Sequence, residues 1–136
     1  MNWKRFFCAV AAVFVVGMVM GFLIHGQLLE PDYKGLGPLM RSEQDAQAHF
    51  PYMVLGYVCF SLAFVWLYTK GLDDKPWIGQ GLRFGFAAWL FGAVSVFLTY
   101  YAVQPLPASL VCKQIGLEFI YFLLLGIAVA GIYRKS

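Results

Sequence analysis

The stretch "ASLVCKQIGLEFIYFLLLGIAVAGIY", residues 108–133, decides the fold. A bilayer hydrocarbon core about 30 Å thick takes about 20 helical residues. This run exceeds that length, and its only charges are Lys113 and Glu118. Read as a helix, it crosses a membrane. Working back along the chain, three more segments have the same character: about 6–25, about 52–68 and about 82–103. Phenylalanine, valine and leucine dominate all of them. In hydrocarbon, satisfying the backbone within each helix is the cheap solution. The expected fold is therefore all-α: an integral membrane four-helix bundle, up-down-up-down, forming one transmembrane domain over residues 1–136.

The bulk composition agrees. Hydrophobic residues make up 61% of the chain and charged residues 12%, against about 25% charged in an ordinary soluble domain. The solvent such a surface needs is lipid, so the lipid bilayer is the first expected partner. A net charge of +3, with its basic residues scattered or flanking apolar runs, gives no nucleic-acid surface. Cys8, Cys59 and Cys112 stand alone in separate apolar stretches and form no C-x-x-C. A thiol oxidoreductase needs a cysteine pair, so the three are expected to be small buried apolar residues.

Segment one begins with Lys4 and Arg5 and could be taken for a signal peptide. Its apolar part is too long for one, and no A-x-A cleavage pattern follows that stretch before His25, so an uncleaved helix is expected. Basic residues set orientation. Lys4, Arg5, Lys70, Lys75, Arg83, Arg134 and Lys135 fall on one side, leaving Lys34 and Arg41 in the first connection with Glu30, Asp32, Glu43 and Asp45. Both termini are expected in the cytoplasm. Trp3, Tyr52, Tyr68, Trp77, Tyr100, Tyr101 and Tyr133 suit interfacial belts. The outer connection, 27–50, contains "SEQDAQAH", with Ser42 and Asp45 spaced as a capping box, so a short surface helix is expected there. Pro51 would then open the second crossing. "QPLPAS" is short and proline-stiffened, which makes the third and fourth crossings neighbours.

Small residues let helix backbones approach in lipid. Gly85, Ala88, Gly92, Ser95 and Thr99 fall on one stripe of the third crossing, and Gly81 adds G-x-x-x-G spacing to Gly85. The first crossing carries Ala9, Val13, Gly17, Gly21 and His25 at steps of four, and the fourth carries Gly126 and Ala130. Packing inside one bundle is the expected use of these faces. The alternative is a seam in a homo-oligomer or a larger membrane complex.

Glu118 is the anomaly. An acid near the middle of a lone spanning helix costs on the order of 3 kcal/mol on insertion scales. Arg83 and Lys113 lie near helix starts and can reach water. Glu118 is too short and too deep to do so, and it must face protein or a wet cavity. Gln114 and Tyr121 share its face by spacing. Ser95 and Thr99 lie at similar depth, while His25, Tyr100 and Gln104 lie nearer the outer surface, where they would complete a pocket. Lys113, five residues away, is off that face. These residues are the expected ligand or proton site. The plainer reading is a carboxyl that hydrogen-bonds two helices together.

His25 and His49 fall near the same outer surface, but two ligands without a third do not make a metal site. Neither histidine is deep enough between helices for a b-type haem. No Gly-rich phosphate loop and no Ser-His-Asp set is present, so neither a cofactor nor a catalytic residue is expected.

"FLIHG" (22–26), "LGY" (55–57), "GLRFG" (81–85) and "YAVQPLPASL" (101–110) together resemble an uncharacterised family of small bacterial four-helix inner-membrane proteins. That resemblance implies a bacterial inner-membrane, multi-pass location and the four-helix architecture, and nothing of chemistry. Small multidrug exporters likewise have four short helices and one membrane carboxyl, but theirs lies on the first helix and this one on the fourth. The first expectation for function is a non-enzymatic accessory or scaffold subunit assembling through small-residue faces. The alternatives are a minimal proton-coupled transporter or small-ligand-binding protein using Glu118, and a membrane enzyme or quinone-binding protein.

Overall fold

The structure is a computed structural model and describes residues 1–134; Lys135, one of the basic residues used above for orientation, lies outside the described residues. It is helical throughout, with no strand among the described residues. Among the described residues four helical stretches are long and apolar enough to cross a membrane: Trp3–Leu28, Gly37–Lys70, Trp77–Val103 and Ala108–Tyr133.

Helix α1 (Trp3–Gly21) starts where Asn2 accepts a hydrogen bond from the Arg5 amide, 3.1 Å. It runs on into a π-helical turn, Phe22–Leu28, which ends as the Leu29 N–H donates to the Ile24 carbonyl. A short helix, α2 (Glu30–Lys34), follows with Pro31 in its first turn. Proline fits there because its missing N–H would be unpaired anyway. Helix α3 is a single element, Glu43–Lys70. Ser42 caps it as the spacing predicts, accepting from the Asp45 amide at 3.2 Å. The helix it caps is the second crossing itself, not a separate surface helix, and Pro51 lies inside it. The surface helix of this connection is α2.

The third crossing is α4 (Trp77–Trp89), a π-helical turn over Leu90–Val94, and α5 (Ser95–Val103). Pro105 and Pro107 separate it from α6 (Ala108–Tyr133). The π turn revises the small-residue stripe. Gly81, Gly85 and Ala88 are buried, but the next buried residue is Ala93, not Gly92. One extra residue in a turn rotates everything beyond it by about 100°. Ser95 and Thr99 therefore end up exposed, donating to the carbonyls of Phe91 and Ser95 on their own helix. They do not join Glu118.

Helix α6 is the hub. It packs along α4 and along α1, and α1 in turn packs on α3. Its inward residues, Gln114, Glu118, Tyr121, Leu125 and Val129, follow steps of three and four, the period of a helix face. Along the α4–α6 seam the two backbones come into direct contact at glycines. A Cβ on Gly81 would sit 2.6 Å from the Gly126 carbonyl oxygen, and one on Gly126 would overlap the Gly81 carbonyl. Trp89 ties the same pair together by donating to the Ile115 carbonyl at 2.9 Å. α3 meets α4 through rings, Phe64 and Tyr68 edge-on to Phe84 at 4.8 and 5.2 Å.

Outside this core the helices expose apolar side chains, among them Phe7, Val15, Leu55 and Phe91, each more than half accessible. Water would not tolerate such a surface around a bundle this small, whereas acyl chains are its natural surroundings. The three cysteines belong to this outer surface. Cys8, Cys59 and Cys112 are exposed and free, not buried as expected. In hydrocarbon an outward thiol costs little, so the burial that water would impose is absent.

Candidate functional site

The π turn after α1 brings His25 beside α6, the short α2 brings Tyr33 over both, and Gln114 and Glu118 face them from one side of α6. His25 Nε2 lies 2.7 Å from Glu118 Oε1. His25 Nδ1 lies 2.6 Å from the Tyr33 hydroxyl. Gln114 Nε2 donates to that same hydroxyl at 3.1 Å. Both π turns flank the site, since the second one supplies Phe91 and Gly92 to the space in front of Glu118. Such turns bend a helix's hydrogen-bond ladder where a side chain must be re-aimed.

The donors run in one direction. Gln114 gives a hydrogen to the Tyr33 oxygen, so the Tyr33 proton is left for His25 Nδ1. The imidazole then carries its own proton on Nε2 and donates it to Glu118. Burial pushes the Tyr33 hydroxyl above the ordinary phenol range, the Gln114 bond draws it partly back, and the charges of Glu118 and Asp32 add to the rise. Tyr33 therefore keeps a proton to donate. A further proton reverses the chain. A doubly protonated imidazole donates from both nitrogens, and Tyr33 must then find a new acceptor. Gln114 Oε1 is buried without a partner among the described residues, and rotation of that amide presents it to Tyr33.

Glu118 is nearly closed off, with 10% of its side chain accessible, while His25 keeps 32%. The imidazole thus links a sequestered carboxyl to the outside at the α2 end. Lys113 lies off the Glu118 face, as its spacing predicts, and pairs with Asp32 at 3.0 Å, strapping α2 to the start of α6. Leu29, fully buried, anchors the other end of α2.

On its other side Glu118 forms part of the floor of a cavity of about 490 Å³ between α3 and the α4–α5 crossing. Tyr121 and Phe122 share that floor, Met53, Tyr57 and Phe60 form one wall, and Phe91 and Phe97 form the other. The Tyr57 and Tyr121 hydroxyls reach α1 at its glycines. A Cβ on Gly17 would stand 3.1 Å from the Tyr121 hydroxyl, and one on Gly21 would overlap that of Tyr57. The glycines of α1 are therefore a notch for two phenols beside Glu118. Those of α4 and α6 are the true backbone seam.

Of the expected site residues, the structure brings together Glu118, Gln114, Tyr121 and His25. Lys113 is adjacent but serves the strap. Ser95 and Thr99 are turned away, and Tyr100 and Gln104 are exposed on the far end of α5. His49 lies on α3 against Asp45, 2.7 Å from its carbonyl, and not beside His25. No group of three metal-binding side chains forms among the described residues. Tyr33, Asp32 and Tyr57 were not anticipated. Tyr57 had a signal, since it starts the inward series Tyr57, Ser61, Phe64, Tyr68 at helical spacing. Tyr33 had none, because only the fold of the connection places it. Comparison with protein families, curated proteins and solved structures gave no match.

Proposed function

We propose that this chain is a multi-pass protein of the bacterial inner membrane, arranged up-down-up-down with both termini in the cytoplasm, and that it binds a small hydrophobic amine at Glu118 in exchange for a proton. The orientation rests on the asymmetry of lysine and arginine across the four crossings. The binding function rests on one observation: a sequestered carboxyl at the floor of a laterally placed, aromatic-walled cavity. A carboxylate there attracts an ammonium and repels an anion. Aromatic faces add cation–π attraction, and a cavity of about 490 Å³ suits a small ligand. A purely apolar molecule would have no use for the acid.

Proton and ammonium compete for the same oxygen atoms. Amine and proton therefore exclude each other at the site, and added protons displace the amine. His25, bonded to Glu118 and partly open at the α2 end, is the group through which the displaced proton leaves. The accessory-subunit reading depended on small-residue faces; Gly81, Gly85 and Gly126 of those faces meet backbone inside this chain, while Ser95 and Thr99 stay exposed. Assembly into a homo-oligomer or a larger membrane complex is the second reading.

The test is equilibrium binding of a dansylated long-chain alkylamine to the protein in lipid nanodiscs, with empty discs subtracted. The expected result is binding that weakens on acidification and is reduced by about tenfold or more in Glu118→Gln, a change of about 1.4 kcal/mol per decade. The N-acetylated, neutral analogue should bind weakly to both proteins. Equal amine affinity in wild type and Glu118→Gln would remove the proposal.

A further inference from the structure

A second site lies at the other end of the helices and owes nothing to Glu118. A cavity of about 750 Å³ opens between the start of α1, the end of α3, the start of α4 and the end of α6. Arg5, Trp77, Gln80, Tyr133 and Arg134 line it, together with the turn that carries Asp73, Asp74 and Lys75. Lys75 and Asp73 answer each other, 2.6 Å apart, and the lysine's hydrogen bond holds the Asp73 carboxyl below the usual carboxylate range. Arg5 and Arg134 form no ion pair among the described residues. The Arg134 guanidinium lies over the Trp77 ring, 5.6 Å from its centroid.

Tyr133 supplies the second, independent observation. Its hydroxyl is buried and has no hydrogen-bond partner among the described residues, and its side chain lines the cavity together with Arg5. A buried O–H without an acceptor is destabilising. An anionic oxygen between Arg5 and Arg134 would supply the acceptor. Among the described residues three cations and two carboxylates line the cavity, a lining that suits the single charge of a phosphodiester. Tryptophan and tyrosine at this end sit where headgroups meet acyl chains, and basic pockets between helices at that level suit lipid phosphates.

We propose that this cavity binds the phosphodiester of a phospholipid headgroup, with Arg5 and Arg134 as counter-charges and the Tyr133 hydroxyl as a hydrogen-bond donor. Phosphate is the recognised chemistry, and lipid is its expected source.

The experiment is native mass spectrometry of the full chain in detergent, titrated with phosphatidylglycerol, for wild type, Arg134→Gln, Arg5→Gln/Arg134→Gln and Tyr133→Phe. Thermal unfolding of each variant reports its folding. One lipid should remain on the wild type, with affinity about tenfold lower in the double arginine variant and reduced by less in Tyr133→Phe. Millimolar inorganic phosphate should leave the lipid in place; if it strips the lipid instead, the phosphate chemistry holds and the source is soluble. Should the folded double variant, or folded Arg134→Gln together with Tyr133→Phe, keep the lipid as wild type does, the proposal is wrong.

Discussion

The α4–α6 seam and the cavity between α3 and α4–α5 both contain glycine and phenylalanine, yet one is closed and the other is open. In the seam, glycine meets backbone: Gly81 faces Gly126, and Gly85 faces the Phe122 carbonyl. Around the cavity, glycine meets rings or nothing. A Cβ on Gly92 would come within 2.8 Å of the Phe122 ring, and one on Gly56 would touch nothing within 4 Å. The π turn at Leu90–Val94 is the boundary between the two regimes. Before it, α4 lies flush against α6; after it, the face rotates, and space remains in front of Glu118. Glycine content alone therefore does not tell a seam from a cavity. What the glycine faces does.

Substitutions at each kind of glycine separate the two regions most sharply. Gly126→Ala drives a methyl into the Gly81 carbonyl and should cost about 3 kcal/mol, the upper end of ordinary overpacking, because a backbone cannot swing aside as a side chain can. Thermal unfolding in detergent should show a large fall in midpoint. Gly56→Leu should leave the midpoint nearly unchanged while filling the cavity, so that it suppresses amine binding. If the two variants unfold alike, the contrast between seam and cavity fails.

The polar network comes next in size. Glu118→Leu strands the His25 Nε2 proton in a low-dielectric site and should cost about 1–3 kcal/mol. Glu118→Gln, which can still accept that proton, should cost distinctly less. Equal midpoints for the two would mean that the carboxyl does not hold His25. Ser95→Ala and Thr99→Val should change stability by no more than about 0.5 kcal/mol, since each hydroxyl serves only its own exposed helix turn. A large loss from either would place it back beside Glu118.

Much of this was legible before the fold was seen. Length and hydropathy marked all four crossings, and the cost of a lone acid in hydrocarbon implied that Glu118 must look inward, where it lies 8% exposed. Steps of four and three along α6 correctly grouped Gln114 and Tyr121 with it. Two things were hidden. A π turn has no hydropathy signature, so counting by threes and fours carried Ser95 and Thr99 onto a face they do not occupy. Tyr33 belongs to a connection whose path over α6 depends on the Lys113–Asp32 pair and on buried Leu29, contacts between residues far apart in sequence. The small residues of α1 were noticed for the wrong reason: Gly17 and Gly21 make room for tyrosines, not for a backbone.

The bond between His25 and Glu118 is the centre of the site. The chain has only two histidines, so nitrogen NMR of histidine-labelled protein in lipid gives a spectrum with few resonances to assign. The expected result is a His25 imidazole whose Nε2 resonance moves on Glu118→Gln and whose Nδ1 resonance moves on Tyr33→Phe, while His49 stays unchanged in both. A His25 spectrum indifferent to either substitution would contradict it.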